Sequence, residues 1–152
     1  MLRHHAPRYG ALDGEGARAH GGRWNPPGSF PVVYTALDRD TVHRELARLA
    51  NRAALPVEAL LPRRLATIEA SLDRVLDLTS ASVRRRLGMR AGDLVADDWT
   101  RTQAIGQAAH DAGFEGILAP GAEGGTTLAI FRDDLGAGAT VRRVGDVAYS
   151  YG

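Results

Sequence analysis

The stretch Gly21-Gly22-Arg23-Trp24-Asn25-Pro26-Pro27-Gly28 limits what this chain can fold into more than any other. Proline fixes φ and removes a backbone donor, and glycine loses the most freedom on ordering, so neither a helix nor a long strand can run through it. Behind it, Pro31-Val32-Val33-Tyr34-Thr35-Ala36 is rich in β-branched and aromatic residues and reads as a strand. Loops usually spend small polar residues, whereas Arg23 and Trp24 suit clamping an anion and covering a flat ring. The pattern fits a binding loop, and it also fits a surface turn that happens to hold a tryptophan.

At 152 residues the chain has the length of one domain able to bury a core without staples, so a single domain over residues 1–152 is expected. It has no cysteine, which excludes a disulfide framework, a thiolate nucleophile and cysteine-held metal, and suits a reducing cytoplasm. No apolar run approaches the roughly 20 residues of a membrane span. Met1-Leu2-Arg3-His4-His5 opens without the apolar centre of a signal peptide, so a soluble cytoplasmic protein is expected.

The net charge of +1 supplies no global field to draw in nucleic acid. All 19 basic residues are arginine. Without lysine there is no Walker-type phosphate loop, no Schiff base and no lysine general base. Any bound phosphate meets guanidinium, which grips pairs of oxygens in bidentate fashion.

In chain order, residues 1–29 are glycine-rich and read as loop with a short strand near Leu2-Arg3-His4. After the strand Pro31 to Ala36, Asp38 caps a helix through about Ala50. Val42, Leu46 and Leu49 form its apolar stripe. Glu45 lies about 60° from the centre of that stripe, on the edge facing the core, while His43, Arg44 and Arg48 are expected to point elsewhere. Glu45 is therefore either an edge residue that reaches solvent or an arginine, or a carboxylate entering a pocket bordered by the helix. Leu65 to Ala70 and Arg74 to Leu78 read as strands about a turn at Ser71 to Asp73, and Ser80 starts a short helix that stops at Gly88. Another helix begins at Asp97 or Asp98 and stops at Gly113. Strands Gly116 to Ala119 and Thr127 to Phe131 flank the loop Pro120-Gly121-Ala122-Glu123-Gly124-Gly125, and a last strand lies near Thr140 to Val144. The irregular mixture predicts an α+β fold with a mixed, largely antiparallel sheet flanked by helices.

Other chemistry is weakly signalled. His4, His5, His20, His43 and His110 show no metal-ligand spacing on a helix, so no metal is expected. The loop from Gly121 to Thr127 lacks a phosphate-loop lysine. Arg84-Arg85-Arg86 with Arg90 has no interleaved aromatics and reads as a solvated face.

The segment Gly21 to Gly28, with Gly14-Glu15-Gly16-Ala17 before it and Val32-Val33-Tyr34-Thr35-Ala36 and Glu45 after it, resembles the opening half of the RES domain family. Gly116-Ile117-Leu118-Ala119-Pro120 and Leu128-Ala129-Ile130-Phe131 resemble its closing half, so the likeness spans essentially the whole chain. The resemblance implies a NAD-destroying toxin of a bacterial toxin–antitoxin pair, on a compact fold akin to ADP-ribosyltransferases. It implies NAD as substrate and an antitoxin partner with a helix-turn-helix DNA-binding part, and it leaves room for a homodimer. Arg23 and Glu45 match the family arginine and glutamate, and Tyr34 matches the strand tyrosine. Arg3, or Arg8 followed by Tyr9, matches the arginine near the start. The family serine is absent: Pro-Ser is replaced by Pro120-Gly121, and Thr126 or Thr127 is the polar residue before the final motif strand.

These residue types suit the implied reaction. Cleaving nicotinamide from ribose passes through an oxocarbenium-like state that a carboxylate, here Glu45, can stabilise. Arg23 with Arg3 or Arg8 can bind the two phosphates, and Trp24, Asn25 and Tyr34 offer flat or polar surfaces to the substrate. Water or inorganic phosphate would capture the ribosyl cation. A serine in place of Gly121 is expected to raise turnover wherever the backbone tolerates a side chain. Three readings remain open at this point: a NAD-consuming enzyme, a nucleotide binder without turnover, and an arginine-dependent RNA-binding module.

Overall fold

The computed structural model describes residues 1–151. Its elements in chain order are β1 (Leu2–His5), α1 (Glu15–His20), β2 (Val32–Ala36), α2 (Arg39–Arg52), β3 (Arg64–Ser71), β4 (Val75–Asp77), α3 (Ala81–Arg86), α4 (Thr100–Asp111), β5 (Gly116–Pro120), β6 (Thr126–Phe131) and β7 (Thr140–Ala148). The strands form one sheet in the order β4-β5-β6-β2-β1-β3-β7, antiparallel throughout except for the parallel β4–β5 pair. This is the mixed, largely antiparallel α+β architecture that the order of elements predicts. Among the described residues no helix is long and apolar enough to cross a membrane.

The β-branched run Val32–Ala36 becomes the central strand because it is apolar on both faces: Val32, Val33 and Ala36 are all buried. On one face, Trp24, Phe30 and Phe131 pack with Ile117 and Ala109 beneath α4. On the other, Ile68, Ile130 and Val33 form a second cluster. α2 closes a third, burying Val42 and Leu46 against Leu65 and Tyr149. Its start is fixed as expected, with Asp38 Oδ1 accepting from the Thr41 N–H at 2.8 Å. Leu49, the third member of the predicted stripe, instead stays 44% exposed at the helix edge.

Three elements depart from the sequence reading. The loop of residues 1–29 contains α1, which has no buried residue and hence no apolar periodicity to reveal it. It is held from outside by the motif loop, through Gly28 N–H to Arg18 O at 2.7 Å and Asn25 Nδ2 to Ala17 O at 2.8 Å. The turn after β3 does not close a hairpin. The buried Glu115 carboxylate accepts the Asp73 and Arg74 N–H groups at 2.6 and 3.1 Å and draws the chain across to β5. β7 runs on to Ala148, because its whole length is paired with β3 apart from one irregularity at Thr67/Ile68.

α4 lies so close to the motif loop that a Cβ on Gly106 would stand 1.7 Å from the Trp24 carbonyl oxygen. In an open helix, Gly→Ala stabilises by about 1 kcal/mol. Here the overlap with backbone dominates, and Gly106→Ala is expected to destabilise by roughly 1–3 kcal/mol or more. Urea denaturation checks this, and a gain in stability would show that α4 moves freely over the motif.

Candidate functional site

The cleft begins with a hydrogen-bonded knot built by the motif. The Tyr34 hydroxyl donates to Asn25 Oδ1 at 2.7 Å and accepts from the Trp24 N–H at 2.9 Å. Burial pushes the Tyr34 phenol well above its ordinary pKa, so it stays a neutral donor. Asn25 is fully buried, and its Nδ2 also reaches Phe30 O at 3.4 Å. Gly22 has no side chain because a Cβ would lie 2.5 Å from the Tyr34 hydroxyl. The Tyr34 hydroxyl, the Asn25 side chain and the Trp24 N–H are thus engaged within the loop and with α1, while the Arg23 guanidinium projects. Its Nη1 donates to Ala96 O at 3.2 Å.

Beside this knot opens a cavity of about 550 Å³, between the sheet, α2 and the β5–β6 hairpin. Glu45 enters it from α2. It has no ion-pair partner among the described residues. Burial raises its pKa above the ordinary 4.5, opposed by the positive fields of Arg23 and Arg48. Burial also lowers the pKa of Arg23, helped by Arg48 and opposed by Glu45. The hairpin stands close: a Cβ on Gly121 would be 3.3 Å from Glu45 Oε1.

Of the residues singled out in the sequence, Arg3, Arg23, Trp24, Tyr34, Glu45, Gly121 and Thr127 border this cavity. Asn25 lies beneath it as part of the knot, and Thr126 is not among the lining residues. Arg8 and Tyr9 are carried away by the turn after β1, closed by Tyr9 N–H to Ala6 O at 3.0 Å. They line a separate depression with Arg64, Arg143 and Asp146, where Arg8 lies over its neighbour's ring. The N-terminal arginine at the cleft is therefore Arg3, whose Nη1 donates to Ala11 O at 2.9 Å.

Arg48, expected to point away, also lines the cleft, since it sits one turn on from Glu45. It donates to Glu123 Oε1 at 2.6 Å, to Asp97 Oδ1 at 3.0 Å and to Val95 O at 3.0 Å. Trp99 closes the same end, with the Arg52 guanidinium 3.9 Å from its ring centre. His4 and Arg63 complete the opposite end, joined by Arg63 Nε–H to His4 Nδ1 at 2.8 Å. Arg63 and Trp99 carry no local mark in the sequence, because segments distant from Glu45 bring them to the cleft. Outside the cleft, His110 lies 3.0 Å from Asp133 and 3.7 Å from Asp134, a grouping with metal-compatible atoms in which the imidazole also stacks on Phe30.

The RES domain family model matches residues 1–151. The chain belongs to the RES domain family. Over 116 residues this RES chain is 42% identical to the NAD(+) phosphorylase MbcT of Mycobacterium bovis, covering 75% of this chain and 62% of that protein. MbcT of Mycobacterium tuberculosis matches to the same extent. A probable NAD(+) phosphorylase of M. tuberculosis is 39% identical over 113 residues, 72% of this chain and 53% of that one. The RES chain thus spans 62% or less of the length of these curated relatives. A chain of the crystal structure of the M. tuberculosis MbcT–MbcA toxin–antitoxin complex superimposes with a TM-score of 0.90 at 34% identity, covering 98% of this chain and 82% of that one.

The structure changes the expectation for the missing family serine. Gly121 does not occupy the left-handed region, but a Cβ there would stand 2.6 Å from the Gly124 carbonyl oxygen. Gly121→Ser and Gly121→Ala are both expected to destabilise by roughly 1–3 kcal/mol, which lowers Tm by about 2–4 °C per kcal/mol in a domain of this size. Thermal melts of the two variants test this; an unchanged Tm for Gly121→Ala would mean that the hairpin relaxes without cost.

Proposed function

We propose that the cleft binds NAD and cleaves its bond from nicotinamide to ribose, with inorganic phosphate as the favoured acceptor and water as the alternative. The observation that carries this reading is Glu45, one unpaired carboxylate inside a cavity whose other charged groups are guanidiniums. The relatives named NAD(+) phosphorylase support it, and they point to phosphate as acceptor.

In this mechanism the carbon–nitrogen bond breaks with its electron pair returning to the nicotinamide ring, which leaves neutral. The ribose carbon passes through a cationic state beside ionised Glu45, which stabilises the developing charge and holds the ribose hydroxyls. An oxygen of phosphate then forms the new bond to that carbon. Arg23 and Arg3 bind phosphoryl oxygens of the dinucleotide. The Trp24 indole is buried in the core beneath α4, so the half-buried Tyr34 offers the ring surface at this wall, and the Thr127 hydroxyl, which donates to Ala119 O at 3.3 Å, is the candidate for the role of the absent serine.

Glu45 must be ionised to act, and its pKa is raised. The rate should therefore fall with decreasing pH along a limb lying above the ordinary glutamate value of 4.5. Glu45→Gln is expected to lower kcat by roughly two orders of magnitude or more with little change in KM, and to abolish that limb. Arg23→Gln is expected chiefly to raise KM for NAD, because it meets charge already present in the ground state. Nicotinamide release from NAD with and without phosphate measures all of these. Wild-type activity in Glu45→Gln would rule out the mechanism, and a wild type that binds NAD without releasing nicotinamide would favour the binder without turnover, a reading supported by glycine at position 121.

We further infer that the protein is a toxin held in check by an antitoxin with a helix-turn-helix part, whose peptide covers the cleft in the cytoplasm. The MbcT–MbcA toxin–antitoxin complex supports an antitoxin partner, and the exposed Leu49 and Val95 near the cleft, at 44% and 51% accessibility, offer apolar surface for it to cover. Expression alone should arrest growth with loss of NAD, and coexpression of the adjacent antitoxin should restore both. Harmless expression with NAD unchanged would count against the toxin assignment.

A further inference from the structure

The cleft has two basic ends, and their chemistry differs. At the Trp99 end, Arg48 and Arg52 share carboxylates from Asp97 and Glu123. At the β1–β3 end, Arg3 and Arg63 both line the cavity, the field of Arg63 lowers the pKa of Arg3, and neither forms an ion pair among the described residues. Both are half-buried, and a guanidinium held partly out of water without an ion-pair partner gains most from an oxyanion.

The local geometry is built to keep this end open for donation. Arg63 is anchored through its backbone, where its carbonyl accepts the Tyr149 N–H at 2.9 Å next to the paired strands β3 and β7. Its Nε–H is spent on His4 Nδ1 at 2.8 Å. No partner among the described residues takes its two terminal nitrogens, which form the end of the fork that matches an oxyanion. The bond from Arg63 fixes the His4 tautomer with its proton on Nε2. Burial first, then the fields of Arg63 and Arg3, depress the His4 pKa to about 3, so the ring is a neutral acceptor toward Arg63 and adds no charge of its own. Arg3 is held at one terminal nitrogen by Ala11 O, and only the field of Asp13 partly offsets its charge. A histidine thus orients one arginine beside another at the wall of the cavity.

We propose that Arg63, oriented by His4 and set beside Arg3, forms a second anion subsite of the cleft that takes a phosphate oxyanion. Two sources share that chemistry: the diphosphate of the dinucleotide and the inorganic phosphate acceptor. The subsite deepens the proposed NAD chemistry and rests on it for its ligands, while Arg63 and His4 themselves are identified by geometry. Arg63 binds through its terminal nitrogens, and His4 is a positioning residue that acts through it.

The test uses the full chain and the variants Arg63→Gln and Arg63→Lys, with Arg64→Gln as the neighbour whose guanidinium is engaged by Asp146 outside the cleft. Arg63→Gln is expected to raise one Michaelis constant about tenfold or more with kcat little changed. A rise for phosphate at saturating NAD assigns the acceptor, and a rise for NAD at saturating phosphate assigns the diphosphate. Arg63→Lys, which keeps the charge and loses the fork, should fall between, and Arg64→Gln should match wild type. If both constants are unchanged in folded Arg63→Gln, the subsite is wrong. Calorimetric titration with inorganic pyrophosphate provides a readout that needs no turnover. Should the wild type release no nicotinamide, a tenfold weaker pyrophosphate affinity in Arg63→Gln still upholds the subsite, and equal affinity overturns it, in either case separately from the NAD reading.

Discussion

The Tyr34 hydroxyl is the contact on which the cleft depends. It sits between the Asn25 amide and the Trp24 N–H, so a strand residue and a loop that cannot form regular structure become one rigid unit. A buried, doubly engaged phenol of this kind is costly to leave half satisfied, which makes the arrangement all-or-none rather than adjustable. From the same unit, Asn25 Nδ2 holds α1 through Ala17 O, and Arg23 turns outward to donate to Ala96 O. α4 then seals the unit from the side, where Gly106 lets the helix meet the Trp24 carbonyl.

That dependence explains what the sequence could disclose. Val32–Ala36 and the Asp38 cap announce themselves because strand composition and capping are local properties. Glu45 is legible as a carboxylate on the inner edge of a helix, and the cavity beside it decides between the two readings of that position in favour of a pocket-facing group. α1 is illegible because its stability comes from bonds donated by a loop downstream. The separation of β3 from β4 is illegible for a similar reason: the group that redirects the chain is Glu115, some forty residues further on. Arg63 and Trp99 share this difficulty, since each gains its place in the cleft only once the sheet has assembled. Arg8 and Tyr9 show the converse, a plausible local pairing that the turn after β1 removes from the site.

Arginine as the sole basic residue gives the cleft its character. A lysine could shed its proton to relieve crowding, whereas guanidinium does not, even where burial pulls Arg3 down to about 10. The site therefore carries a standing positive charge, moderated by Glu45 at its centre and by Asp97 and Glu123 at one end. Such a field selects for ligands with several oxyanions and keeps Glu45 ionised more readily than burial alone would allow.

The Arg48 bridge has a mechanical consequence. Its guanidinium is the tie between α2, the tip of the β5–β6 hairpin at Glu123 and the segment at Val95 and Asp97, and two of these three links are ionic, to carboxylates half exposed or more. The floor of the cleft, in contrast, is knotted by neutral buried hydrogen bonds. Added salt weakens the first kind of link and leaves the second nearly untouched. Ionic strength therefore acts on the rim of the cavity as a clutch, loosening the hairpin from the helix while the bed beneath it keeps its shape.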